Sequence, residues 1–379
     1  MSITTVKEFR EKSCVAPFMH LSTSPSGACH LCCWHDTQPV LTTDGTPYNF
    51  NIIPIKEIWE SEQYTEYRTE FRSNGVANQD TCNKICMSQG GNGNTKRNML
   101  NNQFEDELIL ELINGKTPKF PKLVELKITS LCNLQCQTCG PENSTQFFKD
   151  AAYNPDYLKP MKKAFKIYLD TRADVFLSSI LDNIDEVYYL EFYGGEPFMI
   201  KDHKLFLRKI IDAGKSKNIG LRYITNGTIY DDDYPDLFKE FKDVIISISM
   251  DSVFGKNEYM RMNSNWNEQI ANILKFEEML HLGALRNLNL NTTISLLNLI
   301  DYPEFIRVFD NILRPHPGVT LSISLLHDPS DLQIKHMHRK QKGMWEFLRD
   351  KLMQEPLKVF NKDEVLSIFD AINCGLYEK

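Results

Sequence analysis

Six short apolar runs leave few folds open to this chain. They fall at 123–129, 186–193, 221–225, 244–250, 288–295 and 319–325 and are rich in Val, Ile, Leu, Tyr and Phe, the composition of strands. Helical stretches separate them, near 157–183, 201–217, 234–242, 266–282 and 302–313. Strands that alternate with helices imply a parallel sheet with outer helices, because parallel neighbours need a crossover between them. Eight such units would close a barrel; six predict an open, partial (β/α)6 TIM-like barrel. Ligands in such folds bind at the carboxyl ends of the strands.

The residues that carry chemistry fall where that rule wants them. Cys132, Cys136 and Cys139 form a C-x3-C-x2-C triplet just after the first run. Three thiolates can hold three corners of a [4Fe–4S] cube and leave the fourth iron open to a ligand. A structural zinc or a set of buried thiols is the plain alternative, although three ligands without a fourth suit zinc poorly. Gly194-Gly195-Glu196-Pro197 follows the second run, Thr225-Asn226-Gly227 ends the third, and Ser249-Met250-Asp251 ends the fourth. Paired glycines let backbone approach a ligand closely, and their carbonyls suit an ammonium group. The amide, hydroxyl and carboxylate of Asn226, Ser249 and Asp251 suit ribose hydroxyls. Glu196 or Asp251 could instead cap a turn or helix, and Arg261 could sit in a surface ion pair.

Composition restricts the function classes. Of 379 residues, 42% are apolar and 25% charged, which is ordinary for a globular protein of about two domains. A net charge of −7 argues against a general nucleic-acid or membrane-surface binder. No apolar run reaches about 18 residues, so no membrane span is expected. The N-terminus lacks a signal-peptide apolar core, which predicts a cytoplasmic protein with reduced cysteines. A polar, Gly-rich stretch at 89–95 and the Pro-containing 116–121 place a domain boundary between about 95 and 120. The expected division is 1–100, 118–330 and a helical extension over 331–379.

The ordered set at successive strand ends resembles the radical S-adenosylmethionine (SAM) enzymes over roughly 120–330. The resemblance implies that Cys132, Cys136 and Cys139 ligate a catalytic [4Fe–4S] cluster whose open iron binds the amino-acid end of SAM. It implies that Gly194, Gly195 and Glu196 meet the methionine amino group, and that Asn226, Ser249 and Asp251 lie near the ribose and carboxylate. The segment 258–261 resembles the family's tyrosine–arginine segment, making Arg261 a candidate for the SAM carboxylate. Thr138 stands where the family commonly has an aromatic residue. The implied activity is reductive cleavage of SAM to a 5′-deoxyadenosyl radical and hydrogen abstraction from a substrate. The protein would be fed by an electron donor such as flavodoxin or ferredoxin.

Six further cysteines precede residue 90. Cys14, Gly27 and Cys32 follow a C-x12-G-x4-C spacing, and Cys82 and Cys86 form a C-x3-C pair. Between them, Ile58-Trp59-Glu60-Ser61 resembles a stretch of the SPASM and twitch auxiliary-cluster domains. That resemblance implies a second [4Fe–4S] cluster on Cys14, Cys32, Cys82 and Cys86, with Cys33 as the alternative to Cys32. In the family such a domain usually follows the barrel; here it comes first. Four cysteines also suit a structural zinc. Cys29 and Cys374 read as ordinary thiols, His30 and His35 as polar surface residues, and 335–340 as a solvated basic face. Auxiliary-cluster members frequently modify peptides or proteins, so a peptide or protein side chain is the expected substrate. A small metabolite is one alternative; a non-catalytic iron–sulfur or zinc protein serving binding or electron transfer is another.

Overall fold

Ten strands are present in a computed structural model that describes residues 3–32, 39–74, 82, 86, 95–149, 159 and 174–377. They are β1 (His20–Thr23), β2 (Cys29–His30), β3 (Leu123–Leu126), β4 (Gln135–Cys136), β5 (Tyr189–Phe192), β6 (Gly220–Thr225), β7 (Asp243–Ser249), β8 (Arg261–Met262), β9 (Asn287–Ile294) and β10 (Val319–Leu325). The six apolar runs correspond to β3, β5, β6, β7, β9 and β10, and the fold is α/β with mostly parallel strands. Of the helix expected at 157–183, the described part is Asp174–Leu181; most of the remainder lies outside the described residues. The chain forms two compact units.

The first unit comprises Met1–Thr129, Pro160–Gly194 and Lys209–Ile219. Its strands lie in the order β5-β3-β1-β2. β1 runs parallel to β3 with Leu21 opposite Val124, β3 runs parallel to β5 with Val124 opposite Leu190, and β2 is antiparallel to β1. The N-terminal segment thus supplies a strand to the same ladder as the first expected barrel strand. β3 stops at Leu126 because the next amide, Lys127 N–H, donates to the Thr23 hydroxyl at 2.9 Å. Alternation gives the ladder two faces. Leu21, Val124 and Leu190 are fully buried on one. The other aligns Ser22, Glu125 and Glu191.

Glu125 is 1% exposed and must therefore be paired. Lys96 and the Tyr193 hydroxyl (3.0 Å) donate to it, and His20 Nε2 lies 3.3 Å away. Burial pushes its carboxyl up, but His20 and Lys96 outweigh that and hold it well below the usual carboxylate range.

The second unit comprises Ser130–Lys159, Gly195–Arg208 and Gly220–Lys379. Its parallel strands lie in the order β6-β7-β9-β10, and β4 pairs with β8 separately. β7 and β9 alternate strictly between buried and half-buried residues. Ile246, Ile248, Leu288 and Leu290 are fully buried. The opposite face carries Ser247, Asn289 and Thr320 in one row and Ser249, Asn291 and Ser322 in the next.

Helix Trp266–His281 begins at Asn265, whose side chain accepts Glu268 N–H, and buries Ile273, Phe276 and Leu280 at helical spacing. The C-terminal helices Arg339–Gln354 and Lys362–Tyr377 pack Trp345 edge-on to Phe369. The segment between them is tied down by Asp310, which accepts the backbone N–H groups of Lys358, Val359 and Phe360.

Candidate metal and cofactor centre

The triplet sits on a loop that folds back on itself in the second unit. Ser144 Oγ donates to Leu134 O (2.6 Å), Thr145 N–H to Ser130 O (2.9 Å) and Gln146 Nε2 to Cys132 O (2.9 Å). A turn brings Cys139 N–H to Cys136 O at 3.1 Å. The middle of the loop is β4, and its partner β8 aligns Cys136 with Arg261. Gln137 N–H extends that pairing to Met260 O at 2.8 Å. Backbone pairing therefore fixes Arg261 beside the central cysteine. Burial pushes all three thiols up, Cys136 to about 11 and Cys139 to about 12.

Two side-chain donors point at the sulfurs. Arg261 Nη1 points at Cys136 Sγ (3.6 Å), and Asn226 Nδ2 at Cys132 Sγ (3.9 Å). Arg261 Nε lies 3.1 Å from Asp251 Oδ2, an ion pair with both residues buried. Burial alone would depress the guanidinium; Asp251 and the three cysteines reverse that and lift it above its usual value. Asp251 is not a helix cap: its Oδ1 accepts Thr293 N–H at 2.9 Å, and the following helix, Phe254–Met260, starts from Val253. Nor is Arg261 in a surface pair.

This donor set fits a [4Fe–4S] cluster. Buried thiols favour their neutral form, and a bound cation reverses that by coordinating the thiolate. Among the described residues no three His, Cys, Asp or Glu side chains form a single-ion site.

Glu196 faces inward and is fully buried. Its Oε1 accepts Phe198 N–H (3.1 Å) and the Thr225 hydroxyl (2.8 Å), and its Oε2 accepts Asn226 N–H (2.8 Å). The carboxylate thus ties the turn after β5 to the end of β6. Asn226 uses both ends of its amide: Nδ2 donates to Asn133 Oδ1 (2.8 Å) and Oδ1 accepts Thr228 N–H (2.9 Å). Its carbonyl accepts Gln269 Nε2 at 2.7 Å. Ser249 ends β7 on the half-buried face, opposite Asn291. Gly194 and Gly195 have φ of +80° and +59°. A Cβ on Gly194 would meet Lys127 Cγ at 2.2 Å, so both conformation and space require glycine there.

In the first unit Cys14, Cys82 and Cys86 lie within electrostatic reach of one another. Burial pushes Cys14 to about 12 and Cys82 to about 11, and raises Cys86. Arg97 counters this at Cys14 and Cys86, and its backbone N–H bonds Cys86. Cys32 is half-buried and, with Cys29, lies near Tyr64; Cys33 and His35 lie outside the described residues.

Gly27 in the C-x12-G-x4-C spacing has φ +86°, and a Cβ there would lie 2.5 Å from Asn49 Oδ1. Trp59 is buried under Arg68 (4.3 Å), and its indole N–H donates to Pro118 O at 3.0 Å. His30 is buried, contrary to the surface position expected for it, because β2 carries it into the ladder.

Sequence reasoning missed Asn133, Thr228 and Gln269, which position Asn226. Single polar residues scattered between 133 and 269 leave no spacing to detect.

Residues 126–284 match the family described as the Radical SAM superfamily. No curated protein matches the chain. Among solved structures, "Native anSMEcpe with bound AdoMet and Cp18Cys peptide" is 15% identical, covering 61% of this chain and 59% of that one, with a TM-score of 0.41. Streptococcus suis SuiB bound to precursor peptide SuiA is 14% identical, covering 82% and 64%, with a TM-score of 0.42. TYW1 with a lysine-pyruvate adduct is 13% identical, covering 62% and 74%, with a TM-score of 0.36. The chain thus spans less than two thirds of the first two structures. No helix among the described residues is long and apolar enough to cross a membrane. Residues 126–284, with the cysteine loop, the glycine pair and Arg261 inside them, are thus the part of this chain that is similar to the Radical SAM superfamily.

Proposed function

We propose that this protein is a radical SAM enzyme that cleaves SAM reductively and abstracts hydrogen from a peptide or protein side chain. The observation that carries the reading is the pairing of the cysteine loop with β8, which sets a buried arginine against the central cysteine. Cys132, Cys136 and Cys139 would hold the cluster. When bound, a [4Fe–4S] cluster with one open iron supplies the electron that splits the SAM sulfonium.

The chain's residues do the rest. Gly194 and Gly195 present backbone to the methionine amino group, and Glu196 locks that turn in place. Asn226, Ser249 and Asp251 line the ends of β6 and β7, where ribose hydroxyls would bind. Arg261 offers a fixed cation to the SAM carboxylate.

The face of β7, β9 and β10 favours a peptide. It offers amides and hydroxyls without charge: Asn289 Nδ2 donates to Ser322 Oγ (2.7 Å), and Ser322 Oγ to Asn291 Oδ1 (3.0 Å). Such groups both donate and accept, as a peptide backbone does. A phosphorylated or carboxylated metabolite would call for cations, which these rows lack.

Cys14, Cys82 and Cys86, with Cys32 or Cys33, would hold an auxiliary [4Fe–4S] cluster. A flavodoxin or ferredoxin would supply electrons.

Anaerobic reconstitution of the full chain tests the reading. About eight irons per chain are expected, with 5′-deoxyadenosine formed from SAM under dithionite. A fully loaded, reduced sample that forms none would reduce the protein to an electron carrier or metal-binding module. Iron near four with zinc in the remainder would overturn only the auxiliary cluster. Replacing Cys82 by Ala should remove about four irons and leave some cleavage of SAM in place.

A further inference from the structure

We propose that Arg261 and Asp251 set the reduction potential of the cluster held by Cys132, Cys136 and Cys139, Arg261 raising it and Asp251 lowering it. The inference rests on the reading that the triplet holds a [4Fe–4S] cluster, and it assigns to these two residues a role separate from binding SAM.

Two independent anchors hold the arginine. The β4–β8 pairing sets its Cα opposite that of Cys136, with Gln137 N–H to Met260 O adding a third rung. Asp251 then pairs with the guanidinium as an ion, Oδ2 lying 3.1 Å from Nε, while Nη1 reaches Cys136 Sγ at 3.6 Å. Asp251 is itself held by Thr293 N–H on β9 at 2.9 Å. The guanidinium therefore lies between the Cys136 sulfur on β4 and the Asp251 carboxylate that follows β7.

Reduction adds one negative charge to the cluster and its thiolates. A cation at a ligand sulfur stabilises the reduced form more than the oxidised form, and a carboxylate nearby does the opposite. Arg261 is 8% exposed and Asp251 2%, so solvent screens these charges little. Arg261 touches the sulfur directly and Asp251 does not, so the arginine has the larger effect. Asn226, 3.9 Å from Cys132 Sγ, adds a neutral donor of the same sign as Arg261.

The test is an EPR-monitored redox titration of the reconstituted full-length chain without SAM. The signal that disappears in Cys136→Ala identifies this cluster. At a fixed potential, Arg261→Gln is expected to lower the ratio of reduced to oxidised cluster about tenfold, a 59 mV shift for a one-electron couple. Arg261→Lys should stay near wild type, since it keeps the charge. Asp251→Asn keeps an oxygen for Thr293 N–H, removes the negative charge, and should raise the ratio.

A packing defect that merely admits water would move Arg261→Gln and Asp251→Asn the same way. Shifts of one sign, or no shift in variants that retain the cluster, overturn the assignment. If Arg261→Gln fails to retain the cluster, Asp251→Asn decides: an unchanged or lowered ratio overturns it. A wild-type chain with no signal that Cys136→Ala removes overturns the underlying reading instead.

Discussion

Replacing Cys136 by Ala is expected to reduce 5′-deoxyadenosine formation to background and to remove about four irons per chain, with the iron on the N-terminal cysteines retained. The substitution deletes only a sulfur. The backbone around it is held by β8 and by Gln137 N–H to Met260 O, so the loop keeps its shape. The effect should be all-or-none, because two thiolates cannot hold a cluster that leaves a single iron open. Iron analysis together with product detection checks this. Cleavage persisting in Cys136→Ala would mean that the triplet is not the catalytic ligand set. The same variant also separates the two metal sites, since Cys82→Ala should show the reverse pattern.

Glu196→Ala should be the most destabilising single change in the centre, by about 4 kcal/mol. Two backbone N–H groups and the Thr225 hydroxyl lose their acceptor in a fully buried place, at about 1–3 kcal/mol for each donor left without a partner. The hydroxyl can rotate, which puts the total below the upper bound. Urea unfolding of wild type and variant measures it.

The pH dependence has a definite sign. Burial raises the Glu196 carboxyl above 4.5, and its three donors hold it back only in part. The folded state therefore binds the proton more tightly than the unfolded state. The contribution is fully present below pH 4.5 and declines as pH rises through the raised folded value. The stability gap between wild type and Glu196→Ala should be larger at pH 5 than at pH 8. A gap that widens with pH would show that the hydrogen bonds outweigh burial.

Much of this centre was legible in the sequence because its signals are local. The six apolar runs declared their strands through composition, and the spacing of Cys132, Cys136 and Cys139 gave the expectation of a metal. What escaped were pairings between distant residues. β4 and β8 have two residues each, too few for any period, yet their pairing places Arg261. Glu196 looked like a ligand contact or a turn cap; it does cap the turn, through Phe198 N–H, and it also binds the end of β6 through Thr225 and Asn226. Asp251 gave no hint in sequence of its pair ten residues on, because a buried ion pair leaves no pattern at the level of single residue types. His20 to Thr23 was invisible as a strand, since three of its four residues are polar and its partner, Glu125, is buried only with Lys96, His20 and Tyr193 around it.

That last pairing has a consequence for how the chain reaches its fold. Thr23 bonds Glu125 O across 102 residues, so β1 is made early and must await β3. Closing so long a loop is slow and entropically costly. Every N-terminal cysteine is synthesised inside or before that interval. A metal bridging Cys14 and Cys86 would shorten the loop by about half, lowering the closure cost by about 0.6 kcal/mol. With a metal on these cysteines, loading and sheet assembly in the first unit would be coupled steps of a single maturation.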